Sequence, residues 1–312
     1  MASNSNSRIF AYGAFGSNNV GDEAILEGIR KIYPECIQIY HNKVRNGIGY
    51  LPGQLLDGRI SFKENDYLII GGGGLLYDRT TVIIMTNLAK KARAAGATVD
   101  ILRLGCEAAA PEYEKEIADL FRLARRASVR STASQRIMNR IMAETFSVEF
   151  DFAFNLDNDV EAMPRRKRKQ HEILTIGIVT ASIDKQELNI FSDLIHQRIN
   201  RSCANPVRFI HIPHSRSYFN PSNNDCVTGH MLWSLSRTHN AINDDMLIIE
   251  PFDGEPRSVL SKYKQLDGVI SSRYHGLIFG KLAKIPTLAI GSTQIKIASF
   301  IEDHASEMLF RQ

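Results

Sequence analysis

An arginine and a histidine stand two residues apart in the segment Ser271 to Gly276, whose letters are SSRYHG. The segment follows the apolar run Leu266 to Ile270, and a second apolar stretch begins at Leu277. Open α/β sheets bind ligands beyond the carboxyl ends of their strands, where helix N-termini face the ligand. An arginine fork there suits carboxylate or phosphate. Arg273, His275 and the neighbouring Ser272 therefore indicate an anion pocket, the alternative being a surface arginine and a turn histidine.

A glycine-rich loop, Gly13 to Glu23, follows the first apolar run and opens the first predicted helix. Its glycines permit a tight turn, and the helix N-terminus offers N–H groups to oxygen-rich ligands. The spacing is not GxGxxG and no Lys-Ser/Thr follows, which excludes the dinucleotide and phosphate-loop fingerprints. Gly16, Asn19 and Gly21 are candidate binding residues. Asp22 either stabilises the helix start or serves as a base or hydroxyl anchor.

Four consecutive glycines, Gly71 to Gly74, follow the apolar run Tyr67 to Ile70, the third predicted strand. Such a run indicates a backbone that comes close to a ligand or to another part of the protein. We favour the ligand, which makes Gly72, Gly73 and Gly74 candidate binding residues.

Three further positions end strands or open helices. Arg130 follows the run Ala127 to Val129 and is either a binding residue in the same cleft or a surface arginine; Lys296 opens the last predicted helix. His211 and His214 are spaced like a metal pair, but no carboxylate or cysteine stands beside them. His214 is therefore predicted to line the site, with a buried structural histidine as the alternative. The four cysteines are too widely spaced to indicate a metal site or a disulfide framework.

The elements that must position these residues alternate between short β-rich runs and segments with helical spacing, which predicts parallel sheets covered by helices on both faces. The predicted strands are Arg8 to Tyr12, Cys36 to Tyr40, Tyr67 to Ile70, Thr98 to Leu104, Ala127 to Arg130, Ser147 to Phe150, Ile173 to Thr180, Val207 to Ile212, Met246 to Ile249, Gly268 to Ser271 and Thr287 to Ile290. We expect an α/β fold with two doubly wound Rossmann-like domains facing a cleft. The first spans 1–157, a basic linker 158–172, and the second 173–312.

Composition places few restrictions on function. The chain has 312 residues, 44% hydrophobic and 23% charged, with a formal net charge of +4. Much of that charge lies in Arg165 to Lys169, which indicates a solvated linker rather than a nucleic-acid site. Met1 to Ser7 lacks the apolar region of a signal peptide, and no stretch reaches the length of a membrane span. We therefore expect a cytoplasmic protein without an integral membrane segment.

Taken in order, these motifs resemble the polysaccharide pyruvyl transferase family. The resemblance rests on five pieces: Asn19 to Ala24, Gly71 to Gly74, Arg130 with Ser134, Asp151 to Phe154, and Asp267 through Arg273 and His275 to Pro286 and Lys296. It implies a GT-B-like fold and transfer of a pyruvyl group from phosphoenolpyruvate to a sugar, forming a cyclic ketal. The implied donor domain is the second and the implied acceptor domain is the first.

The chemistry of that reaction assigns roles to the candidates. Phosphoenolpyruvate carries a carboxylate and a phosphate, which Arg273, Arg130 and Lys296 would bind. His275 would protonate the methylene carbon, and Asp22 would serve as base for the sugar hydroxyls. No cofactor or metal is required. A lipid-linked acceptor would bring only peripheral membrane contact.

The sequence departs from the family pattern in two places, of which the second concerns the acceptor side. The usual Arg-Asp pair reads Arg130-Ser131, and a glycine-rich segment reads Gly105 to Pro111, with alanines at 108–110. Two alternatives therefore stay open: a GT-B glycosyltransferase that uses a nucleotide sugar, and a non-catalytic protein that binds a sugar or an anion.

Overall fold

Two parallel β-sheets organise the chain. The structure is a computed structural model that describes residues 7–40, 49–107, 109–166, 172–181, 184–200, 206–217, 223–238, 245–291 and 294–304. The chain folds into two compact units, of which the first comprises residues 1–17 and 22–155 and the second comprises residues 18–21 and 156–312. The short segment Asn18 to Gly21 therefore packs with the second unit, although its neighbours in sequence belong to the first.

The first unit has a seven-stranded sheet in the order β3-β2-β1-β4-β5-β6-β7, with parallel pairing throughout. Its strands are β1 Ile9–Gly13, β2 Ile37–Tyr40, β3 Gly49–Tyr50, β4 Tyr67–Gly71, β5 Thr98–Leu104, β6 Arg126–Val129 and β7 Ser147–Val148. Its helices are α1 Val20–Ile32, α2 Pro52–Leu56, α3 Arg79–Ala94, α4 Glu114–Phe121 and α5 Thr132–Met142, with 3₁₀ turns at Pro111–Tyr113 and Phe152–Leu156.

The second unit has a five-stranded parallel sheet in the order β10-β9-β8-β11-β12. Its strands are β8 Leu174–Val179, β9 Val207–His211, β10 Leu247–Ile249, β11 Gly268–Ser271 and β12 Thr287–Ala289. Its helices are α6 Asp157–Ala162, α7 Lys185–Asn200, α8 Asp225–Thr238, α9 Pro256–Tyr263, α10 Tyr274–Leu282 and α11 Ile295–His304.

The hydrophobic runs explain why both faces of the first sheet are covered. Because side chains alternate across a strand, Leu68 and Ile70 of β4 pack on one face with α3 residues, while Ile69 packs on the other with Ile25 of α1. All three β4 residues are fully buried. Continuous apolar strands of this kind are typical of doubly wound parallel sheets. The expectation of two Rossmann-like domains is confirmed.

Strand order reverses direction once in each sheet, between β1 and β4 in the first unit and between β8 and β11 in the second. The connections that leave the carboxyl ends of such neighbouring strands diverge to opposite faces and leave a crevice for ligands. Both predicted glycine loops follow β1 and β4, and the Arg273 segment follows β11.

Three details differ from the sequence predictions. The strand that leads into the glycine run is the fourth and not the third, and Gly71 is its last residue. The two-residue strand β3 was not predicted because it contains no apolar run. The expected linker 158–172 begins inside helix α6, where Val160 is buried. Arg166, expected in a solvated run, donates to Glu172 Oε2 at 3.1 Å and to Thr175 Oγ1 at 3.2 Å. Lys167 to Lys169 of the basic run lie outside the described residues.

Candidate active site

The guanidinium of Arg273 is held by a buried carboxylate. Arg273 lies between β11 and α10, and its Nε donates to Asp225 Oδ2 at 2.7 Å while Nη2 donates to Asp225 Oδ1. Nη2 also donates to Asn223 Oδ1 at 3.1 Å and Nε to the Thr180 carbonyl at 3.2 Å. Among the described residues no acceptor lies on Nη1. Two of the three guanidinium nitrogens, Nε and Nη2, thus donate to acceptors within the protein. Nη1 is the nitrogen that remains to donate to a ligand.

Asp225 links Arg273 to the loop after β9. Its Oδ2 also accepts from the backbone N–H groups of His214 at 2.8 Å and Ser215 at 3.0 Å. Burial raises the pKa of the Asp225 carboxyl, whereas Arg273 and the two N–H groups act in the opposite direction. Sequence reasoning missed this residue, because an aspartate at the start of a helix such as α8 is expected for its interaction with the helix dipole alone.

The segment Asn18 to Gly21 packs against the loop that follows β9. Val20 N donates to the His214 carbonyl at 2.8 Å, and Arg216 N donates to the Asn18 carbonyl at 2.9 Å. The Asn19 side chain accepts from Gly21 N at 2.9 Å. A Cβ at position 21 would overlap the His275 ring, so only glycine allows this approach. The predicted binding residues Asn19 and Gly21 are therefore brought to the predicted proton donor His275, within the second unit.

His214 is fully buried beside this cluster. Its Nε2 lies 2.9 Å from the Tyr263 hydroxyl, and its ring packs against Tyr263 and Phe279. Burial, with Arg273 and His275 as further causes, holds the pKa of His214 well below its ordinary value. His214 is therefore neutral, and its Nδ1 has no hydrogen-bond partner in the part of the chain that the structure describes.

His211 is a buried structural histidine. Burial and the nearby Arg273 lower its pKa to about 3, and its Nε2 lies 3.1 Å from Thr180 Oγ1. Its other nitrogen faces the backbone of Gly229 in α8. Across the described ranges, no group of three or more His, Cys, Asp or Glu side chains is placed to hold a metal ion.

Ser272 and Lys296 occupy different surroundings. The Ser272 hydroxyl accepts from Ala181 N at 2.8 Å and donates to Glu187, so it braces the start of α7. Lys296 is exposed in the first turn of α11, which follows β12, the strand next to β11.

Arg130 in the first unit is enclosed by carboxylates. Its Nη2 lies 3.1 Å from Glu107 Oε2 and its Nη1 lies 3.5 Å from Asp151 Oδ2, with all three side chains buried. Burial disfavours the ionised form of Glu107, but Arg130 and the Ser131 hydroxyl outweigh it and lower the pKa of this carboxyl. One cation faces two carboxylates, so Arg130 brings no net positive charge to this strand end. That removes the electrostatic reason for expecting Arg130 to bind an anion.

Glu107 also explains the departure at Ser131. The Ser131 hydroxyl donates to Glu107 Oε1 at 2.9 Å and accepts from Ser134 N at 3.1 Å, which caps helix α5. A carboxylate from the β5 connection thus contacts both Arg130 and the side chain at position 131. The sequence signal was the glutamate in the altered segment after Gly105. Ala108 lies outside the described residues.

Protein neighbours account for much of the glycine run. Gly72 and Gly73 have φ of +73° and +75°, a region that favours glycine. A Cβ at Gly71 would overlap the Leu102 carbonyl and one at Gly72 would overlap Ile25, while Gly74 lies beside Arg130. Tight packing therefore accounts for glycine at positions 71 and 72 without a ligand, and ligand binding by Gly72 stays a prediction. At Gly73 the nearest polar atom to such a Cβ is Asp22 Oδ1, at 3.6 Å.

The loop after β1 is held by its own side chains. Gly16 has φ +78°, and its N–H donates to Glu23 Oε1 at 2.8 Å. Asp22 Oδ2 accepts from the Ser17 hydroxyl at 3.1 Å. Gly16 is thus needed for the turn, and Asp22 lies in the connection after β1, where the strand order reverses between β1 and β4.

An apolar groove of about 670 Å³ lies elsewhere in the second unit, between the start of α7 and the length of α8 from Val227 to Leu235. Its lining includes Leu188, Val227 and Met231, and it does not include Arg273 or His275.

The fold defines a two-domain α/β protein of the GT-B-like fold class, with candidate sites at its strand ends. The chain belongs to the polysaccharide pyruvyl transferase family, whose model matches residues 19–294. This is a family of transferases, and its name implies a sugar or glycan acceptor.

Solved structures support the fold. An uncharacterised protein from Klebsiella pneumoniae is similar with a TM-score of 0.52 and 16% identity, covering 98% of this chain and 93% of its own. Staphylococcus aureus MnaA, solved with UDP, is similar with a TM-score of 0.57 and 10% identity, over 96% of this chain and 88% of MnaA. The trehalose 6-phosphate synthase of Burkholderia multivorans is similar with a TM-score of 0.56 and 9% identity, over 97% of this chain and 89% of the synthase. No curated protein matches the chain.

No helix in the described ranges is both long and apolar enough to span a membrane.

Proposed function

We propose that this protein transfers a pyruvyl group from phosphoenolpyruvate to two hydroxyls of a sugar in a glycan or glycan precursor, with release of phosphate. The observation that carries the proposal is the Arg273 and His275 cluster at the β8/β11 switch point, in a chain of this family. The donor binds in the second unit, and the acceptor binds in the first.

The chemistry proceeds in two additions. His275 donates a proton to the methylene carbon of phosphoenolpyruvate, which becomes a methyl group and leaves an oxocarbenium-like centre at C2. One sugar hydroxyl adds to C2, phosphate departs with its bridging oxygen, and the second hydroxyl closes the ketal. The sugar loses two protons, of which one replaces the proton given by His275 and the other leaves with phosphate. Asp22 is the proposed base for a hydroxyl.

Arg273 and its neighbours stabilise the anionic donor. Nη1 of Arg273 donates to a phosphoenolpyruvate oxygen, while Asp225 keeps the guanidinium plane fixed. The uncharged His214 offers a ring N–H, and Lys296 supplies an ammonium from the neighbouring strand end. Arg273 and His214 are held in place before the ligand arrives, so these two donors need little reorganisation in the transition state.

The test is to incubate the full chain with phosphoenolpyruvate and a panel of hexoses, hexosamines and their nucleotide- or lipid-linked forms. We expect release of phosphate and an acid-labile product heavier by one pyruvate less one water. Arg273→Ala and His275→Ala should abolish product, whereas Arg237→Ala and His230→Ala, which change exposed residues of α8, should not.

Other outcomes would support the alternatives. Calorimetry that shows binding of a nucleotide sugar but not of phosphoenolpyruvate would favour a glycosyltransferase. Tight binding of phosphoenolpyruvate without product from any acceptor would favour a non-catalytic protein. Full activity of both site variants would refute the assigned site.

A further inference from the structure

Tyr77 is the most exposed large hydrophobic side chain among the described residues of the first unit, at 51%. It follows the glycine run and directly precedes Asp78, whose Oδ1 accepts from Thr81 N at 2.9 Å and so caps helix α3. The Tyr77 phenol is hydrogen-bonded with the hydroxyl of the same Thr81. The ring is thus open to solvent but held in position, which lowers the entropic cost of using it to bind a ligand.

The Asp22 carboxylate lies next to the glycine run that precedes this ring. Asp22 Oδ1 is 3.6 Å from the point that a Cβ on Gly73 would occupy, in the same connection as Tyr77. Burial raises the pKa of the Tyr77 phenol, and the charges of Asp78 and Asp22 act in the same direction. Tyr77 and Asp22 therefore both lie in the connections that follow β4 and β1, where the strand order of the first sheet reverses.

The charges around this strand end disfavour an anion. Arg130 is compensated by Glu107 and Asp151, and Asp22 and Asp78 add further negative charge. A neutral ligand with hydroxyl groups meets no such penalty, because carboxylates are strong acceptors for hydroxyl protons. An aromatic face, negative at its centre, attracts the polarised C–H groups of an apolar ligand face. A pyranose ring offers both features, since its axial C–H groups form one face and its hydroxyls project from the edge.

We propose that Tyr77 and Asp22 form the binding subsite for the acceptor pyranose, with the Tyr77 ring against a C–H face of the sugar and Asp22 accepting from a hydroxyl. That the sugar is the acceptor rests on the proposed function; that the site binds a pyranose does not.

Saturation-transfer NMR and titration test the subsite without phosphoenolpyruvate. The probes are the methyl glycosides of glucose, galactose, mannose and N-acetylglucosamine. At least one should bind the full chain and receive saturation mainly at the C–H protons of one ring face. Tyr77→Ala should weaken that binding about tenfold, and Tyr77→Phe should change it by less than about twofold.

Ile32→Ala is the matched control. Ile32 is 46% exposed and lies at the C-terminal end of α1. Because β1 and β2 are parallel, α1 must return the chain to the amino ends of the strands, away from Tyr77. Ile32→Ala should bind glycosides as the wild type does. Failure of every glycoside to bind the wild type, or equal binding by Tyr77→Ala, would overturn the subsite.

The ketal assay separates the two proposals. Tyr77→Ala should raise the KM for the acceptor about tenfold and leave the KM for phosphoenolpyruvate unchanged. Tyr77-dependent glycoside binding by a protein that makes no ketal would refute the proposed function and keep the subsite. Ketal formation unaffected by Tyr77→Ala would refute the subsite and keep the function.

Discussion

Asp225 and Arg273 form a two-point ion pair in which the carboxylate is 1% and the guanidinium side chain 13% exposed. The same carboxylate binds two backbone N–H groups of the loop after β9. The free energy of unfolding and the geometry of the site therefore both depend on Asp225.

Asp225→Ala should lower the free energy of unfolding by about 3 kcal/mol, because it leaves a largely buried guanidinium and two N–H groups without their acceptor. Urea unfolding measures this change. Asp193→Ala, at an exposed position of α7, should unfold at the wild-type urea concentration. Equal midpoints for both variants would show that the pair contributes nothing to stability.

Acid should destabilise the protein from about pH 6.5 downward. The pKa of His211 falls to about 3 in the folded state, so between pH 6.5 and 3 the unfolded chain binds a proton that the folded chain does not. The contribution of the neutral His211 to the free energy of unfolding is fully present above the ordinary histidine pKa. It decreases as the pH is lowered through this window, by about 2 kcal/mol at pH 5 for His211 alone. His214 acts in the same direction.

Urea unfolding between pH 5 and pH 8 gives the slope of the free energy of unfolding against pH. His211→Gln should flatten it, whatever its effect on stability at pH 8. An unchanged slope in His211→Gln would show that His211 does not cause the loss.

Gly21→Ala should reduce ketal formation about a hundredfold, because the new methyl group displaces the His275 ring and small displacements of a reacting group carry large penalties. Steady-state kinetics measures kcat, and urea unfolding measures the cost of overpacking, about 1–3 kcal/mol. Gly53→Ala is the control, since a Cβ there meets nothing within 4 Å. Unchanged kcat in Gly21→Ala would contradict the role of this contact.

Ser131→Asp should destabilise the protein by about 2 kcal/mol or more, because it adds a third carboxylate to the buried cluster around Arg130. Glu107→Gln in the same chain should recover part of the loss. A double-mutant cycle by urea unfolding gives the coupling energy. Additive effects would show that the carboxylate of Glu107 does not interact with an aspartate at 131.

Much of the fold was predictable because its strands are continuous apolar runs. Thr98 to Leu104 and Gly268 to Ser271 match β5 and β11 at both ends. β3 was missed, since two residues pairing with β2 carry no periodicity. In the site, Arg273 and Gly21 were identifiable from type and position. Asp225 was not, because its partner is 48 residues away in sequence and only the fold brings them together.

The burial of the Asp225 and Arg273 pair has a consequence for ionic strength. Salt screens exposed charges over a Debye length of about 8 Å at physiological concentration, but reaches a buried pair poorly. Added salt should therefore leave this pair intact while weakening the attraction of a dissolved anion to the exposed Lys296. The site would keep its shape in concentrated salt and lose only the long-range part of its affinity.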